Sequence, residues 1–397
     1  MPYRPAARVE ACPIRRATDL GKHKGWTLPA RRGSLPATAY KGMARMTIYL
    51  NAGGHGLPSA ATRARLLTHA RCEAEAGSLA ALSMAEAELT QLRAKAARLV
   101  GTTPAQVALG HTTSQFWLAA IARLPLSGRR LLIAPHEWGN HLRHLRHVAP
   151  DLGLRLDILP RDEALDPAAW AARMDEDVAA LLLPQVTSAQ GLVYPGTRIA
   201  ALPRPEQTLV IVDAAQSLGR IEVPQGWDVL AGTARKWLRG PRATALLALS
   251  PRASAVLGVQ AAGLEPMDAN VALRLGMAAA LDQVLTMGVT QAGARLNDIA
   301  ALFRRALGRD DRLAGWLAAG TPAGEQAPGH ITLAVPASER ARLAQALERA
   351  GIVAKWPDPA VEEPQAQLNP GVALLRITPH LDNDAAEAEA LAAALAG

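Results

Sequence analysis

The sequence predicts an α/β protein, with a mostly parallel sheet flanked by helices on both faces and a smaller α+β unit at the C-terminus. Three observations carry this. Strand-sized apolar runs alternate with helix-patterned stretches between residues 106 and 249, the pattern turns helical from 250 to 320, and two further strand and helix pairs close the chain. The chain has 397 residues, of which 49% are hydrophobic and 20% charged, enough for one large core and a smaller one and too apolar for general disorder.

Residues 59 to 99 are rich in Ala, Leu, Arg and Glu, lack proline and carry helical spacing, so they predict two helices broken near Gly77. The predicted strands then follow at Gln106–Leu109, Arg130–Ala134, Leu154–Leu159, Ala180–Leu183, Leu209–Val212, Val229–Leu230 and Ala245–Leu249. Helices are expected over Ala272–Gly288 and Asp298–Leu307. In the last hundred residues His330–Val335 and Ala373–Thr378 read as strands, with Glu339–Ala350 and Ala385–Ala396 as helices. The expected organisation is a basic leader over 1–45, a large domain over 46–290 and a small domain over 291–397, with 46–60 contributing to a substrate entrance.

The net charge of +8 invites a nucleic-acid reading until its distribution is read. Residues 1–45 hold ten Lys and Arg against Glu10 and Asp19, whereas the other 352 residues hold 33 bases and 33 acids. A charge-balanced body counts against nucleic-acid binding. The leader has no apolar centre of a secretory signal. It fits a transit peptide, a basic arm, or translation upstream of a start at Met43 or Met46, and the last is favoured because Met46 opens directly into Thr-Ile-Tyr-Leu. Two cysteines, Cys12 and Cys72, supply neither a disulfide scaffold nor a four-cysteine zinc site, Cys72 on its Ala-rich helix reads as a buried small residue, and the cytoplasm is the expected compartment. No apolar run reaches the roughly 18 residues of a membrane span, so no membrane partner is expected.

Three motifs fall at predicted strand ends, where an open parallel sheet places ligands. Gly110-His-Thr-Thr-Ser-Gln115 follows the first strand and opens a helix; hydroxyls there cap the helix, and beside its unpaired N–H groups they also cradle an anion. Asp213 ends the apolar run Thr208-Leu-Val-Ile-Val, and a carboxylate so placed calls for a cationic partner such as a protonated pyridine nitrogen. Lys236, 23 residues later in Thr233-Ala-Arg-Lys-Trp-Leu-Arg-Gly-Pro241, is flanked by Trp237 and Leu238; apolar surroundings lower a lysine pKa and suit Schiff-base chemistry. His141, His144 and His147 recur every three residues between arginines. That spacing drifts around a helix, so an exposed basic face is expected and no metal site.

In this order and on this sheet pattern, the motifs resemble the class V aminotransferase and cysteine desulfurase family of pyridoxal phosphate enzymes, which has the aspartate-aminotransferase-like fold (fold type I). The resemblance runs from about Thr47 to the C-terminus. It includes Leu50-Asn-Ala-Gly-Gly-His-Gly-Leu-Pro58, Glu137-Trp138, Val212-Asp-Ala-Ala-Gln-Ser-Leu-Gly219 and Leu375-Arg-Ile-Thr-Pro-His380. It implies pyridoxal 5'-phosphate as cofactor, with Lys236 as its Schiff-base lysine and Cα base and Asp213 on the pyridine nitrogen. Thr112, Thr113 and Thr233 are implied phosphate ligands, Gln216 and Ser188 lie near the ring hydroxyl, and Trp138 stacks on the ring. Arg376 would bind the substrate carboxylate, with Asn51 and His55 at the substrate entrance. A homodimer with active sites at the subunit interface is implied as well.

The departures narrow the activity. Desulfurases carry a cysteine on a mobile loop of the small domain, but no cysteine follows Cys72, and 351–360 occupy that region. Leu264-Glu-Pro-Met-Asp-Ala-Asn-Val-Ala-Leu-Arg-Leu-Gly276 resembles the branch with isopenicillin N epimerase and hercynylcysteine sulfoxide lyase. The favoured expectation is a carbon–sulfur lyase performing β-elimination on a cysteine S-conjugate or sulfoxide, with His55 and Arg235 as candidates to protonate the leaving sulfur. Aminotransfer to a keto acid and epimerisation use the same residues and stay open.

Overall fold

Alternation along the predicted strands sends successive side chains to opposite faces, which only a sheet covered on both sides can bury. The computed structural model describes residues 47–126, 129–365, 369 and 371–397; the expected leader over 1–45 lies outside the described residues. The chain runs through β1 (Ile48–Tyr49), α1 (Ala60–Ala76), α2 (Ser78–Val100), β2 (Val107–Gly110), α3 (Thr113–Ile121), β3 (Arg130–Ile133), α4 (Gly139–Leu152), β4 (Arg155–Ile158), α5 (Pro167–Ala171), β5 (Val178–Pro184), α6 (Gly196–Ala200), β6 (Leu209–Asp213), β7 (Val229–Thr233) and β8 (Ala245–Leu249). It continues through α7 (Pro251–Leu257), α8 (Val271–Met287), α9 (Val289–Leu307), α10 (Asp311–Gly320), β9 (Ile331–Pro336), α11 (Arg340–Arg349), β10 (Ile352–Val353), α12 (Pro359–Glu362), β11 (Val372–Ile377) and α13 (Ala385–Ala396).

The seven predicted strand runs form one sheet in the order β2-β8-β7-β6-β5-β3-β4, in which β8 alone runs against the others. Leu131 and Ile133 face one core with Trp117 and Leu145, while Leu132 and Ala134 face another with Trp170 and Ile199. On the latter side of the sheet's other half, Leu230, Leu246 and Ala248 pack under α2 and α8. The break between α1 and α2 is at Gly77, held at φ 82°, a region that glycine enters without a Cβ penalty. Among the described residues no single helix is long and apolar enough to cross a membrane, and α8 and α9 meet at 86°.

The C-terminal layer has its own core. Antiparallel β9 and β11 pack with Phe303 and Leu307 of α9, Leu343 and Leu347 of α11, and Leu391 and Leu395 of α13. Leu50 and Ile48 join that core, and β1 pairs in parallel with β10. Two-residue strands like these carry no periodicity, so neither was predicted. The N-terminal segment is thus stitched to the C-terminal layer, and residues 51–55 are held over the carboxyl ends of the central strands.

Two local expectations are corrected. His141 is 1% exposed, because α4 turns a stripe of His141, Leu142, Leu145 and Ala149 to the core, while Arg143, Arg146 and His147 stay outside. Cys72, expected to be a buried small residue, is half-buried, since α1 is exposed along most of its length.

Gly110, which ends β2 just before α3, has no room for a side chain: a Cβ there would meet the Phe116 ring at 2.5 Å. Gly110→Ala is expected to cost about 1–3 kcal/mol, the usual range for overpacking a rigid ring, measured by urea unfolding against wild type. An unchanged midpoint would mean that α3 tolerates displacement.

Candidate active site

The register Pro184↔Asp213↔Ala231 ends β5 and β6 at one level, with β7 running two residues further to Thr233, and a cavity of about 610 Å³ lies at these strand ends. Every residue singled out from the sequence lines it: Asn51, His55, Thr112, Thr113, Trp138, Ser188, Asp213, Gln216, Thr233, Lys236 and Arg376. They come from seven separate stretches of chain.

At the α3 N-terminus, Thr112 caps the helix by accepting from Gln115 N at 3.0 Å. Thr113 Oγ1 is buried without a hydrogen-bond partner. An orphan hydroxyl among unpaired helix N–H groups is what a phosphate oxygen would satisfy. The Thr233 hydroxyl instead donates to Thr244 O at 3.1 Å, so it must turn from that carbonyl to reach an anion.

Asp213 accepts Ala215 N through Oδ1 at 2.7 Å, leaving Oδ2 towards His141 Nδ1 at 4.0 Å. His141 is sandwiched: Nδ1 lies 2.9 Å from Glu137 Oε1, Nε2 lies 3.0 Å from Ser114 Oγ, and the ring stacks on Trp117 at 4.2 Å. Burial raises the pKa of Glu137, which is fully enclosed, and the hydrogen bond from His141 opposes the rise. Sequence reasoning missed this layer, although His141 lies four residues before Leu145 and eight before Ala149 on one apolar stripe. Glu137, His141 and Asp213 bring donor atoms within 4.8 Å of one another. The bonds of His141 to Glu137 and of Asp213 to Ala215 already occupy one atom of each residue.

Lys236 lies at the cavity floor. Burial first, and then the neighbouring Arg235 cation, lower its pKa to about 7, with Asp213 pulling the other way. The Gln216 amide is fully engaged: Nε2 donates to Gly53 O at 3.0 Å and Ser188 Oγ at 3.3 Å, while Oε1 accepts from Trp237 Nε1 at 3.1 Å. Gln216 therefore braces Ser188 and the 51–55 segment. Trp138 precedes α4 as a half-buried wall, and His55 keeps a buried Nδ1 without a partner.

Arg376, 2% exposed, donates through Nη1 to Ser188 O at 2.9 Å and Ser188 Oγ at 3.0 Å, and through Nη2 to Asn51 Oδ1 at 3.2 Å. Facing Ser188 are two glutamates that no sequence signal marked. Glu362 Oε2 accepts from Ser188 Oγ at 3.0 Å and Oε1 pairs with Lys355 Nζ at 3.0 Å. Glu363 Oε1 accepts Ser188 N at 2.5 Å and Ala189 N at 2.9 Å. Burial pushes the Glu363 carboxyl up to about 7, against the lowering effect of those two N–H donors.

The family described as aminotransferase class-V matches over residues 65–391. The chain belongs to the class V aminotransferase family. As a member it is a pyridoxal phosphate-dependent enzyme, and the site fits that cofactor: an orphan hydroxyl at a helix N-terminus, a strand-end carboxylate and a lysine of lowered pKa share one cavity. A probable hercynylcysteine sulfoxide lyase of Mycobacterium tuberculosis (strain CDC 1551 / Oshkosh) is 31% identical over 82% of this chain and 84% of its own length. Isopenicillin N epimerase of Amycolatopsis lactamdurans is 27% identical over 76% of this chain and 83% of its own. Among solved structures, a cysteine desulfurase from Thermococcus onnurineus NA1 superposes with TM-score 0.73 at 17% identity, covering 90% of this chain and 94% of that one. The cystine C–S lyase C-DES gives 0.72 at 20%, covering 90% and 99%. These likenesses establish the desulfurase-like α/β fold.

Two pH dependences follow for this class V enzyme. Condensation of the apoenzyme with pyridoxal phosphate needs a neutral lysine amine, so its rate should rise through about pH 7, as stopped-flow absorbance would show; a rise only near 10 would contradict the lowered Lys236 pKa. For Glu363 the folded pKa exceeds the unfolded one, so its contribution to stability is full below about 4.5 and is lost as pH rises through about 7. Glu363→Gln keeps an acceptor for Ser188 N and Ala189 N and should flatten the stability profile in that window, with a higher melting temperature at pH 8.

Proposed function

We propose that this enzyme is a carbon–sulfur lyase that eliminates the sulfur substituent from Cβ of a cysteine S-conjugate or sulfoxide. The observation that carries the reading is the wall contributed by residues 355–363. Where a desulfurase would present a thiol to accept sulfur, this chain presents Glu362 and Lys355, and no cysteine follows Cys72. A chain without a sulfur acceptor releases the sulfur group to solvent. The similarity to a probable hercynylcysteine sulfoxide lyase points the same way.

Pyridoxal phosphate, when bound, supplies an electron sink that acidifies the substrate Cα–H. Thr112, Thr113 and the α3 N-terminus would hold its phosphate, Asp213 would keep the ring nitrogen protonated, and Trp138 would cover a ring face. Arg376, preset by Ser188 and Asn51, would take the substrate carboxylate. Lys236, neutral in part near pH 7, takes the Cα proton, and the Cβ–S bond breaks with its electron pair leaving on sulfur. His55 and Arg235 line the cavity and are the candidates to protonate that sulfur. The released enamine hydrolyses to pyruvate and ammonia.

The reading extends to assembly and place. Leu57, Leu67, Leu79, Leu82, Met84 and Met267 are exposed large apolar side chains on α1, α2 and neighbouring loops, a surface that a second copy would cover, which supports a homodimer. The separate core of the C-terminal layer supports a large domain over 46–290 and a small one over 291–397. An unpaired Cys72 suits the cytoplasm.

Product analysis with S-substituted cysteines and their sulfoxides tests the reaction. Pyruvate and ammonia in equal amounts without an added keto acid are expected, with turnover and the visible absorbance of the lysine-bound cofactor both lost in Lys236→Ala. Accumulation of a pyridoxamine form discharged only by a keto acid would make the enzyme an aminotransferase, and inversion at Cα without pyruvate would make it an epimerase.

A further inference from the structure

The cavity mouth holds two arginines that the reaction as described leaves without a counter-charge. Arg235, half-buried, donates to the Gly54 carbonyl, and Arg242 lines the same wall from the turn before β8. Neither has a carboxylate partner among the described residues, whereas their neighbour Arg239 is paired with Asp382 and, elsewhere, Arg204 with Asp228 and Arg274 with Glu265. Solvent alone does not compensate a half-buried guanidinium fully, so an unpaired one facing a cavity favours an anionic ligand. The turn that carries Arg242 also holds Arg239 and Ala243 at φ 59° and 57°, left-handed conformations costing about 1 kcal/mol or more each for residues with a Cβ.

This positive wall is made of residues other than those of the two anion sites already assigned. The α3 N-terminus with Thr112 and Thr113 is one, and Arg376 at Ser188 and Asn51 is the other. The field of Arg235 and Arg242 falls also on Tyr49 and His55: after burial, Arg242 and then Arg235 are what lower the His55 pKa, and Arg235 acts on Lys236 and Arg376 besides.

We propose that Arg235 and Arg242 form a third anion station, and that the preferred substrates are amino acids whose group beyond Cβ ends in a carboxylate. The inference rests on the reading of this site as one for a cysteine conjugate, and it names the class of conjugate. Arg376 takes the α-carboxylate and the arginine pair takes the distal one, fixing the Cβ–S bond between two charged anchors.

The test uses holoenzyme with S-(2-carboxyethyl)-L-cysteine and its near-isosteric amide, S-(2-carbamoylethyl)-L-cysteine. Pyruvate formation gives kcat/KM, and titration of the visible cofactor absorbance gives affinity independently of turnover. The acid should be preferred by about 10–100-fold, the range for a charge-assisted hydrogen bond, and the preference should shrink with salt. Arg242→Gln should reduce the acid-to-amide ratio about tenfold, and Arg242→Lys should restore part of it. Arg242 is exposed, and an unchanged melting temperature would show that the variants fold. Equal affinity for acid and amide, or no spectral response to either, overturns the proposal. So do faster cofactor loss on dialysis of Arg242→Gln, which assigns the arginine to the cofactor phosphate, and dissociation of the oligomer, which assigns it to a carboxylate of a second copy. A spectral preference for the acid without pyruvate from either compound retains the anion station and removes the lyase reading.

Discussion

Burial of the Arg376 guanidinium is the constraint around which the site is assembled. A cation at 2% exposure is tolerated only if its N–H groups find acceptors and its charge finds a compensating field. The acceptors come from Ser188 after β5 and Asn51 after β1, and the field from Glu362 and Glu363 after β10. One side chain on a C-terminal strand thereby fastens three segments that are remote in sequence. Arg376 Nε keeps no partner, so the network stops one bond short of completion. An orphan donor beside a preset guanidinium fork leaves capacity for a substrate carboxylate without moving the protein.

The same economy of motion holds around Asp213. Asp213 is fixed by a backbone N–H on one oxygen, and its other oxygen faces the His141 ring, itself clamped by Glu137, Ser114 and Trp117. Each member is held by the next, so a group bound above Asp213 meets a carboxylate whose orientation is set before binding. Preorganisation of this kind lowers the cost of stabilising developing charge because few dipoles need to reorient during the reaction.

What could be read from the sequence follows from how local each determinant is. The seven strands were legible because buried strands are continuous apolar runs and Asp213, Thr233 and Lys236 sit at or just beyond their ends, where position along one run suffices. Arg376 was recognisable through its motif, though nothing local showed that it would be buried. Glu362 and Glu363 were illegible because two adjacent acids before a proline read as a solvated turn, and only contact with Ser188, 174 and 175 residues away, buries them. His141 falls between these cases: its apolar stripe was visible, but the repeat of histidines and arginines drew the reading towards an exposed basic face.

The distribution of charge inside the cavity separates binding from chemistry. In the proposed role of Cα base Lys236 must be without its proton, and the cations that depress its pKa are Arg235 beside it and Arg376. An anion that lands on either arginine cancels part of that field and raises the basicity of the lysine. Substrate binding at the charged stations would thus favour proton transfer to Lys236 Nζ at the moment when a Cα proton is present to be taken. On the proposed reaction, the empty site holds a lysine neutral in part near pH 7 and the filled site a stronger base, the two states connected by the field of the arginines.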